Sequence, residues 1–319
     1  MRALVTGAGG FVGATLVRRL LAEGHEVHAT GRPGGQPWRL EDVRADIELH
    51  EVDLADAEAI ARLVGRARPD WVFHLAAHGA YSWQTETQPI LAVNVLGTAA
   101  LLDAALDAGA QAFIHAGSSS EYGLKDHPPV EDEALAPNST YAVGKAAATH
   151  YCSFVGQRAV ARVATLRLYS IYGPWEDPGR LMPTLAVRGL RGELPPLVAP
   201  ETARDFVHVD DACDAFVRAA QAPDLEPGVV LNLGSGRQTT LREIVAIARE
   251  VLAIEAEPQW GSTAARSWDT SVWVSDPRRI ETALGWRAST DLREGFRDLA
   301  DWLASDPDRL ARYASVARR

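Results

Sequence analysis

The chain of 319 residues predicts an α/β fold built on a doubly wound parallel sheet, followed by a smaller α/β domain. Three observations support this prediction. Short β-branched runs alternate with helical patterns through the first half, a glycine cluster follows the first of these runs, and the pattern loses its regularity near residue 168. Strand–helix alternation of this kind places helices on both faces of a parallel sheet.

The first half contains six predicted strands, at 2–6, 26–30, 47–52, 71–75, 112–115 and 161–168. Helical patterns, in which apolar residues recur every three or four positions, lie at 14–23, 55–65, 94–108 and 142–156. Most of the strands are followed by a helix, which is the connection that parallel pairing needs.

The second half is less regular. Residues 174–200 carry many prolines and glycines, so we expect loops there with one helix near 184–189. Thr239 or Thr240 can cap a following helix. The remaining predicted elements are two strands and that helix, at 204–209, 229–233 and 241–252.

The length of the chain fits two joined domains. The change in character predicts a nucleotide-binding Rossmann-type domain over 1–168 and a substrate-binding α/β domain over 169–319, with segments near 204–233 as candidates to return to the first. With 47% hydrophobic and 23% charged residues, the composition is that of a globular protein with a large core.

Charge and cysteine usage restrict the partners. A net charge of −10 disfavours nonspecific binding to nucleic acid or anionic membranes. No apolar run approaches the ~20 residues that cross a bilayer, and no secretory signal is seen, so we expect a cytoplasmic protein. Cys152 and Cys213 are expected to be reduced and buried, and no Cys/His cluster predicts a metal site.

A glycine-rich segment lies between the first strand and the first helix. Gly7 permits a tight turn, Gly10 lets the backbone approach a pyrophosphate, and Gly13 lets the helix pack closely on the strand. The helix opens near Phe11 and Val12, and its N-terminus offers unpaired N–H groups and partial positive charge to phosphates. The segment therefore predicts a site for a nicotinamide dinucleotide.

The residues after the second strand bear on which dinucleotide binds. An NAD-preferring fold usually places an acid here for the adenosine ribose, but this chain has Gly31 and Arg32. Glycine leaves room for a 2′-phosphate and a guanidinium can bind it bidentately, so we expect NADP(H) in preference to NAD(H). The alternative is a solvated Arg32 and NAD. Asp53 has two open interpretations, a hydrogen bond with the adenine amino group or a helix N-cap.

Tyr141 and Lys145 are four residues apart in a predicted helix, so their side chains share one face, a turn apart. A phenol with a pKa of about 10 is almost entirely protonated at pH 7, and a nearby cation makes it a better proton carrier at ~1.4 kcal/mol per pKa unit. We expect Lys145 and an oxidised nicotinamide to supply that charge. An ordinary surface pair is the alternative.

Ser118 opens a run of three serines just beyond the fifth predicted strand. At the carboxyl end of a parallel strand, a side chain points into the crevice where α/β sheets bind ligands. A hydroxyl there can polarise a sugar carbonyl or hydroxyl while a tyrosine moves the proton. A polar loop is the alternative interpretation.

Further short motifs come one after another along nearly the whole chain: Asp53-Leu54, His74-Leu75-Ala76-Ala77, Asn94-x-x-Gly97-Thr98, Leu166-Arg167-Leu168, Tyr172-Gly173-Pro174, the run from Arg204 to Asp211, the run from Asn232 to Gly236, and Leu284-Gly285-Trp286. Together with the glycine segment, the serine loop and the Tyr-x-x-x-Lys pair, they resemble the extended short-chain dehydrogenase/reductases that act on nucleotide sugars. The resemblance implies an NAD(P)-dependent enzyme with a nucleoside-diphosphate sugar as its substrate.

The resemblance assigns roles residue by residue. It implies that Ser118 is the catalytic hydroxyl, that Tyr141 is the acid/base, and that Lys145 holds the nicotinamide ribose and lowers the pKa of the tyrosine. Asn94 would help to position its helix and the active-site water. The implied cofactor contacts are Gly7, Gly10, Phe11, Val12, Gly13, Arg32, Asp53, Leu54, Leu75, Ala76, Ala77, Asn94, Tyr141 and Lys145.

The substrate side is implied in the same way. Arg204 and Arg266 correspond to ligands of the substrate diphosphate, although either could form a structural ion pair instead. Tyr81, Ser82 or Trp83 would lie beside the hexose, with packing as the alternative for Trp83. The implied substrate contacts are Tyr81, Ser118, Ser119, Tyr141, Ser170, Arg204 and Arg266, of which Ser170 stands where the family usually has asparagine.

The family shares hydride transfer at the sugar, usually at C4, and its members differ in the later steps of the reaction. The 4,6-dehydratases carry acids just after the catalytic hydroxyl, whereas this chain has Ser119 and Ser120, and Glu121 comes one position too late. We expect a 4-keto-6-deoxy nucleotide-sugar reductase first and a 4-epimerase with tightly bound cofactor as the alternative, with a dehydratase or a non-catalytic redox sensor behind both. Family members commonly form homodimers through two helices, here 94–108 and 142–156.

Overall fold

The computed structural model describes residues 1–81, 83–263 and 270–316, and within them seven strands form one large sheet and three form a second. The large sheet is entirely parallel and runs in the order β3-β2-β1-β4-β5-β6-β9. The strands are β1 (Arg2–Thr6), β2 (Glu26–Gly31), β3 (Glu48–Glu51), β4 (Trp71–His74), β5 (Ala112–Ser118), β6 (Arg162–Leu168), β7 (Ser170–Tyr172), β8 (Ala203–His208), β9 (Val230–Leu233) and β10 (Gln238–Thr240).

Helices cover both faces of the large sheet, which confirms the doubly wound α/β class. The helices are α1 (Phe11–Ala22), α2 (Ala57–Ala67), α3 (Thr87–Leu91), α4 (Thr98–Asp107), α5 (Thr140–Gly156), α6 (Leu181–Gly189), α7 (Val209–Gln221), α8 (Leu241–Leu252), α9 (Arg278–Leu284), α10 (Leu292–Ala304) and α11 (Pro307–Val316). One core lies between the sheet and α1 and α7, and a second between the sheet and α2, α4 and α5.

The order of the strands reverses between β1 and β4. The chain first moves outward from β1 to β2 and β3, and then crosses to β4 on the other side of β1. Open α/β sheets bind their ligands at the carboxyl ends of the strands on either side of such a reversal. The loops after β1, β2, β4 and β5 all emerge at this edge.

The second sheet lies in the C-terminal half. β7 pairs parallel with β8, and β8 pairs antiparallel with β10. A third core forms beneath α6, α8 and α10. After β8 the chain returns to the large sheet, because α7 packs on α1 and β9 lies beside β6.

A single long helix, Thr87–Asp107, is made of α3, α4 and a π-helical segment between them, Ala92–Gly97. By length and composition alone it could cross a membrane, with a mean hydropathy of 1.7. The sequence shows no unbroken apolar run of this length, and it did not predict the π segment. The inner side of the helix packs Leu101 and Leu102 into the core, whereas Leu96 is exposed.

Candidate active site

The glycine segment forms a tight loop between β1 and α1. Gly7 has a φ of 68°, and a Cβ atom on it would lie 2.6 Å from the backbone nitrogen of Ala76 in the loop after β4. Only glycine therefore allows these two loops to meet. A Cβ on Gly13 would lie 2.3 Å from the carbonyl oxygen of Gly7, so the close packing expected at Gly13 is present, with the glycine turn itself as the neighbour.

The start of α1 suits a dinucleotide phosphate. Gly10 is the N-cap residue, and no described side chain caps the helix. The N–H groups of its first turn, which begins with Phe11 and Val12, have no partner within the helix and can bind an anion. The loop, the uncapped helix and the strand reversal thus fit a nicotinamide dinucleotide.

The residues predicted to meet the adenosine of a dinucleotide lie at the ends of β2 and β3. Gly31 is opposite Glu51, and a Cβ on Gly31 would meet only the Leu49 side chain, at 3.8 Å, so space is open beside the strand. Arg32 is exposed. Oε2 of Glu51 accepts a hydrogen bond from the backbone N–H of Gly34 at 3.1 Å, which places a carboxylate at the turn after β2. The sequence did not single out Glu51.

Asp53 comes after β3 and is exposed, and its carboxylate accepts a hydrogen bond from the N–H of Ala55 at 2.9 Å. The N-cap of α2 is Asp56, which accepts from Glu58 and Ala59. The interpretation of Asp53 as the helix cap is therefore wrong, because α2 begins later than the sequence predicts. Its contact with adenine stays a prediction.

The loop after β4 is held from behind. The side chain of Asn94 accepts from the N–H of His78 and donates to its carbonyl oxygen, both at 2.8 Å. Thr6 and Thr98 bond the two ring nitrogens of His74, at 2.7 and 2.8 Å. These contacts fix the predicted cofactor-binding segment, and they make Asn94 a positioning residue for the loop. The predicted cofactor contacts in the loop after β4 are Leu75, Ala76 and Ala77. Leu54 is the predicted contact after β3.

The three predicted catalytic side chains come from two neighbouring elements. Ser118 is the last residue of β5, while Tyr141 and Lys145 lie one turn apart near the start of α5. The helix begins there because Ser139 caps it by accepting from the N–H of Ala142 at 3.2 Å. The Ser118 hydroxyl lowers the pKa of the Tyr141 phenol, and its Oγ lies 2.8 Å from Oγ of Ser120.

The electrostatics of the pair differ from what the sequence suggests. Burial raises the pKa of Tyr141 to about 12, while the Ser118 hydroxyl and the charge of Arg180 lower it. Lys145 is only 2% exposed, its Nζ donates to the carbonyl of Ala116 at 2.9 Å, and burial lowers its pKa to about 8. In this structure the ammonium bonds to the strand backbone, and the expectation that Lys145 and an oxidised nicotinamide acidify Tyr141 stays a prediction.

A buried ion pair supports the serine loop from below. Nε of Arg167 lies 2.8 Å from Oε2 of Glu121, and both side chains are almost fully buried. The other oxygen of Glu121 accepts from the N–H of Ser118 at 2.8 Å and from the hydroxyl of Thr149 at 3.0 Å. Glu121 is therefore occupied in holding the catalytic serine.

Tyr81, which the sequence predicts to lie beside the hexose, contacts two charged side chains. Its hydroxyl donates to Asp177 at 3.1 Å, and the guanidinium of Arg180 lies 5.7 Å from its ring centre. Trp83 stacks on Tyr81 with a centroid distance of 4.5 Å but is 72% exposed, so it is not a core residue. Ser82 lies outside the described residues. No spacing rule in the sequence points to Arg180.

Of the two arginines predicted to bind the substrate diphosphate, the structure describes one. Arg204 lies on β8 and donates to the carbonyl of Ala203 at 2.7 Å. Its guanidinium carbon is 5.5 Å from the centre of the Trp273 ring. Arg266 lies outside the described residues. Ser170 begins β7, and Ser119, which is buried, lines a small cleft together with Trp273.

Comparison with known proteins bears on this site. The family model described as the NAD-dependent epimerase/dehydratase family matches residues 3–234. The UDP-glucose 4-epimerase of Mycolicibacterium smegmatis is 33% identical over 308 residues, which cover 93% of this chain and 96% of that protein. The dTDP-glucose 4,6-dehydratase of Streptomyces griseus is 31% identical over 320 residues, covering 94% and 93%.

Among solved structures, the complex of the Thermus thermophilus UDP-glucose 4-epimerase with NAD superposes with a TM-score of 0.81. It is 30% identical, and the match covers 95% of this chain and 98% of the other. The similarity therefore includes both the large sheet and the C-terminal half.

Proposed function

This chain belongs to the NAD-dependent epimerase/dehydratase family, as its motifs indicate, and from that premise we propose that it is a 4-epimerase of a nucleoside-diphosphate hexose that uses NAD. The observation that carries the proposal is the meeting of Ser118 and Tyr141 at the carboxyl edge of the sheet, where the serine hydroxyl lowers the pKa of the phenol and Lys145 ties α5 to β5 through the Ala116 carbonyl. The loop after β4 connects the pair with the glycine loop, since Gly7 packs against Ala76 and Gly79 lies beside Tyr141. The glycine loop and the uncapped start of α1 fit a dinucleotide.

Tyr141 is the proton carrier in this proposal. Its phenolate takes the proton of the C4 hydroxyl when the sugar is oxidised and returns it to the ketone oxygen on reduction. The Ser118 hydroxyl donates to the same sugar oxygen and keeps it beside the tyrosine. Bound NAD supplies the acceptance and return of the C4 hydride, which no side chain in the cleft can provide. Substrate and product are isomers, so protons and electrons balance over one turnover.

The residues after Ser118 argue against a dehydratase, although one relative carries that name. Proton removal at C5 needs a free acid or base next to the catalytic hydroxyl. Ser119 and Ser120 stand there, and Glu121 is bound to Arg167 and to the Ser118 backbone. Ser118 and Tyr141 can therefore serve oxidation and reduction at C4. Residues 119–121 offer no free carboxylate for proton removal at C5.

A reductase is the second candidate, and the sequence alone places it first. The observation in its favour is Arg32, which is exposed beside the open space at Gly31 and could bind the 2′-phosphate of NADPH. The epimerase moves ahead because two of the relatives described above are UDP-glucose 4-epimerases, one of them solved with NAD.

Glu51 supports NAD as the cofactor. Its carboxylate reaches the turn after β2 at Gly34, close to where the adenosine ribose of a dinucleotide would lie. An acid at this point can accept from the ribose hydroxyls and repels a 2′-phosphate. Glu51 thus takes the place of the acid that the second strand lacks.

The outer faces of the long helix and of α5 support a homodimer. Leu96, Val143 and Phe154 are 68%, 45% and 54% exposed on these two helices, which also pack against each other. Large apolar side chains exposed together commonly mark a protein interface. We propose that a second copy of the chain covers them.

UDP-glucose is the first substrate to test, since relatives act on it by name. We expect the purified protein to interconvert UDP-glucose and UDP-galactose without added nucleotide, as followed by NMR, and to release NAD when denatured. Tyr141→Phe should reduce kcat at least ~100-fold with an unchanged circular dichroism spectrum. Tyr151→Phe, on the same helix but bonded to Asp103, is the matched control and should stay active.

Two results would contradict the proposal. Full turnover by the Tyr141→Phe variant would remove the assigned proton carrier. A protein that leaves nucleotide sugars unchanged by itself but oxidises added NADPH with a 4-keto sugar would be the reductase.

A further inference from the structure

Three side chains with metal-binding atoms lie together at the edge of the large sheet: His28 on β2, and Glu48 and His50 on β3. Parallel pairing brings them together, since His28 lies opposite Glu48, and His50 comes two residues later on the same face. All of their ligand atoms lie within 4.8 Å of one another. The sequence gives no sign of this group, because its members come from two strands and form no known motif.

The distances within the group suit a small tetrahedral ion. Nδ1 of His28 is 3.0 Å from Nε2 of His50, and the Glu48 carboxylate lies 3.5 Å and 3.6 Å from these two nitrogens. Bonds of about 2.0–2.1 Å in a tetrahedral zinc site separate the ligand atoms by about 3.3 Å. The 3.5 Å distance ends at Oε2 of Glu48 and the 3.6 Å distance at its Oε1, so the two nitrogens and either oxygen of this carboxylate are spaced for such a site.

A fourth residue orients the first ligand. Oε1 of Glu26 lies 3.2 Å from Nε2 of His28. An ionised carboxylate can only accept a hydrogen bond, so this ring nitrogen carries the proton and Nδ1 keeps its lone pair toward the cluster. Carboxylates behind metal-binding histidines commonly play this part.

We propose that His28 Nδ1, His50 Nε2 and the Glu48 carboxylate bind one divalent ion of the Zn²⁺ type, with water as the fourth ligand. Two imidazoles and one carboxylate favour such an ion over Ca²⁺ or Mg²⁺, which prefer oxygen ligands throughout. The imidazoles are 5% and 10% exposed, whereas Glu48 is 62% exposed and gives the ion a path from solvent. Small rotations of the two nearly parallel rings would direct both lone pairs to one point.

The role of this ion is structural. β3 is an edge strand of four residues that pairs only with β2 within the described sheet. His28 stands three residues before the end of β2, about 10 Å from the carboxyl edge where the dinucleotide would bind. An ion held there joins the edge strand to its neighbour and takes no part in chemistry at the sugar.

Zinc titration of the full-length protein, after treatment with a chelator, tests the site. Isothermal calorimetry should find one tight site per chain, and saturating Zn²⁺ should raise the melting temperature, because the ion binds the folded chain only. Co²⁺ should give the visible absorption of a four-coordinate site. The thiols of Cys152 and Cys213 are buried and should not compete.

Substitutions test whether the Zn²⁺ binding and the Co²⁺ spectrum come from these residues. His50→Ala should weaken Zn²⁺ binding at least ~100-fold and remove the Co²⁺ spectrum, and Glu26→Gln should weaken binding ~10-fold through orientation alone. Glu48→Gln, at an exposed position, covers the case in which a histidine variant does not fold. His127→Ala is the matched control, since it removes an exposed histidine that contacts Asp126 and Glu133. No calorimetric site in the wild type, unchanged affinity in both His50→Ala and Glu48→Gln, or loss in His127→Ala would overturn the proposal.

Discussion

Arg32 favours NADP as the cofactor and Glu51 favours NAD. Substituting each residue tests which preference holds. If NAD is the cofactor, Arg32→Ala should leave its Kd within about twofold, because NAD lacks the 2′-phosphate that this exposed guanidinium would bind. Glu51→Gln should raise the Kd for NAD roughly tenfold, which is the effect of losing a hydrogen bond to a charged acceptor. Calorimetry with NAD and NADP on nucleotide-free protein measures both. Wild-type preference for NADP that disappears in Arg32→Ala would restore the expectation drawn from Gly31 and Arg32 alone.

Lys145 places a buried cation beside the active site, and this should destabilise the fold near neutral pH. Its pKa is about 8 in the folded chain against an ordinary value of 10.5, so the unfolded chain holds the proton more tightly between these values. Stability should therefore rise with pH from 8 to 10.5 and carry a penalty of about 3 kcal/mol below pH 8.

Lys145→Met removes that titration. At pH 7 it should increase the free energy of unfolding by up to about 3 kcal/mol, less what the Ala116 carbonyl loses with its donor, while activity disappears. Urea denaturation over a pH series checks this. A difference between variant and wild type that does not shrink as pH rises through 8 to 10.5 would contradict the assignment of the penalty to the lysine charge.

The residues that the sequence could identify are those in contiguous motifs. Ser118, Tyr141 and Lys145 lie in short signatures whose spacing already fixes a strand end or a helical turn. Arg180 and Glu51 were missed because they reach the cleft through tertiary contacts from separate segments. Sequence spacing also could not show where the Lys145 ammonium points, since that depends on the Ala116 carbonyl of a neighbouring strand.

At the scale of elements, the loop after β5 depends on a buried ion pair. Glu121→Gln leaves Arg167 as an unpaired buried charge and weakens the bond to the Ser118 N–H. Breaking such a pair destabilises by about 3–5 kcal/mol, and kcat should fall with it because the serine loses its support. Thermal unfolding and epimerase assays measure the two effects.

Glu133→Gln is the control for this prediction. Glu133 pairs with Lys125 at 3.4 Å and His127 at 3.0 Å near the surface, so its loss should change stability by less than about 1 kcal/mol. Equal losses of unfolding free energy in the two variants would show that the buried Glu121–Arg167 pair stabilises the fold no more than the surface pair does.

Element type was easier to predict than element ends. β5 runs to Ser118, three residues beyond its prediction, because its last three residues pair with residues 166–168 of β6, and the sequence pattern cannot show this pairing. The π segment Ala92–Gly97 was invisible for a similar reason. A Cβ on Gly97 would lie 2.3 Å from the carbonyl of Leu54, so the helix register there depends on a contact from another part of the chain.

At the scale of the whole molecule, the exposed apolar side chains of α5 test the dimer. Phe154→Glu places a charge on the proposed contact and should shift the protein from dimer to monomer in analytical ultracentrifugation. Val160→Glu is the control, since Val160 is fully exposed but lies beyond the end of the helix. A wild-type monomer, or a dimer unaffected by Phe154→Glu, would exclude this interface.

The return of the chain to the large sheet after β8 limits which segments can be grafted from a relative to change substrate specificity. Grafting everything after residue 168 from a homologue would import a foreign α7 and β9, and Phe216 would no longer match Phe73, whose ring centre lies 6.5 Å away. A workable chimaera must keep native residues 209–233 and splice on both sides of them. Recombination in this protein therefore needs three crossover points, after residues 168, 208 and 233, where a tandem arrangement would need one.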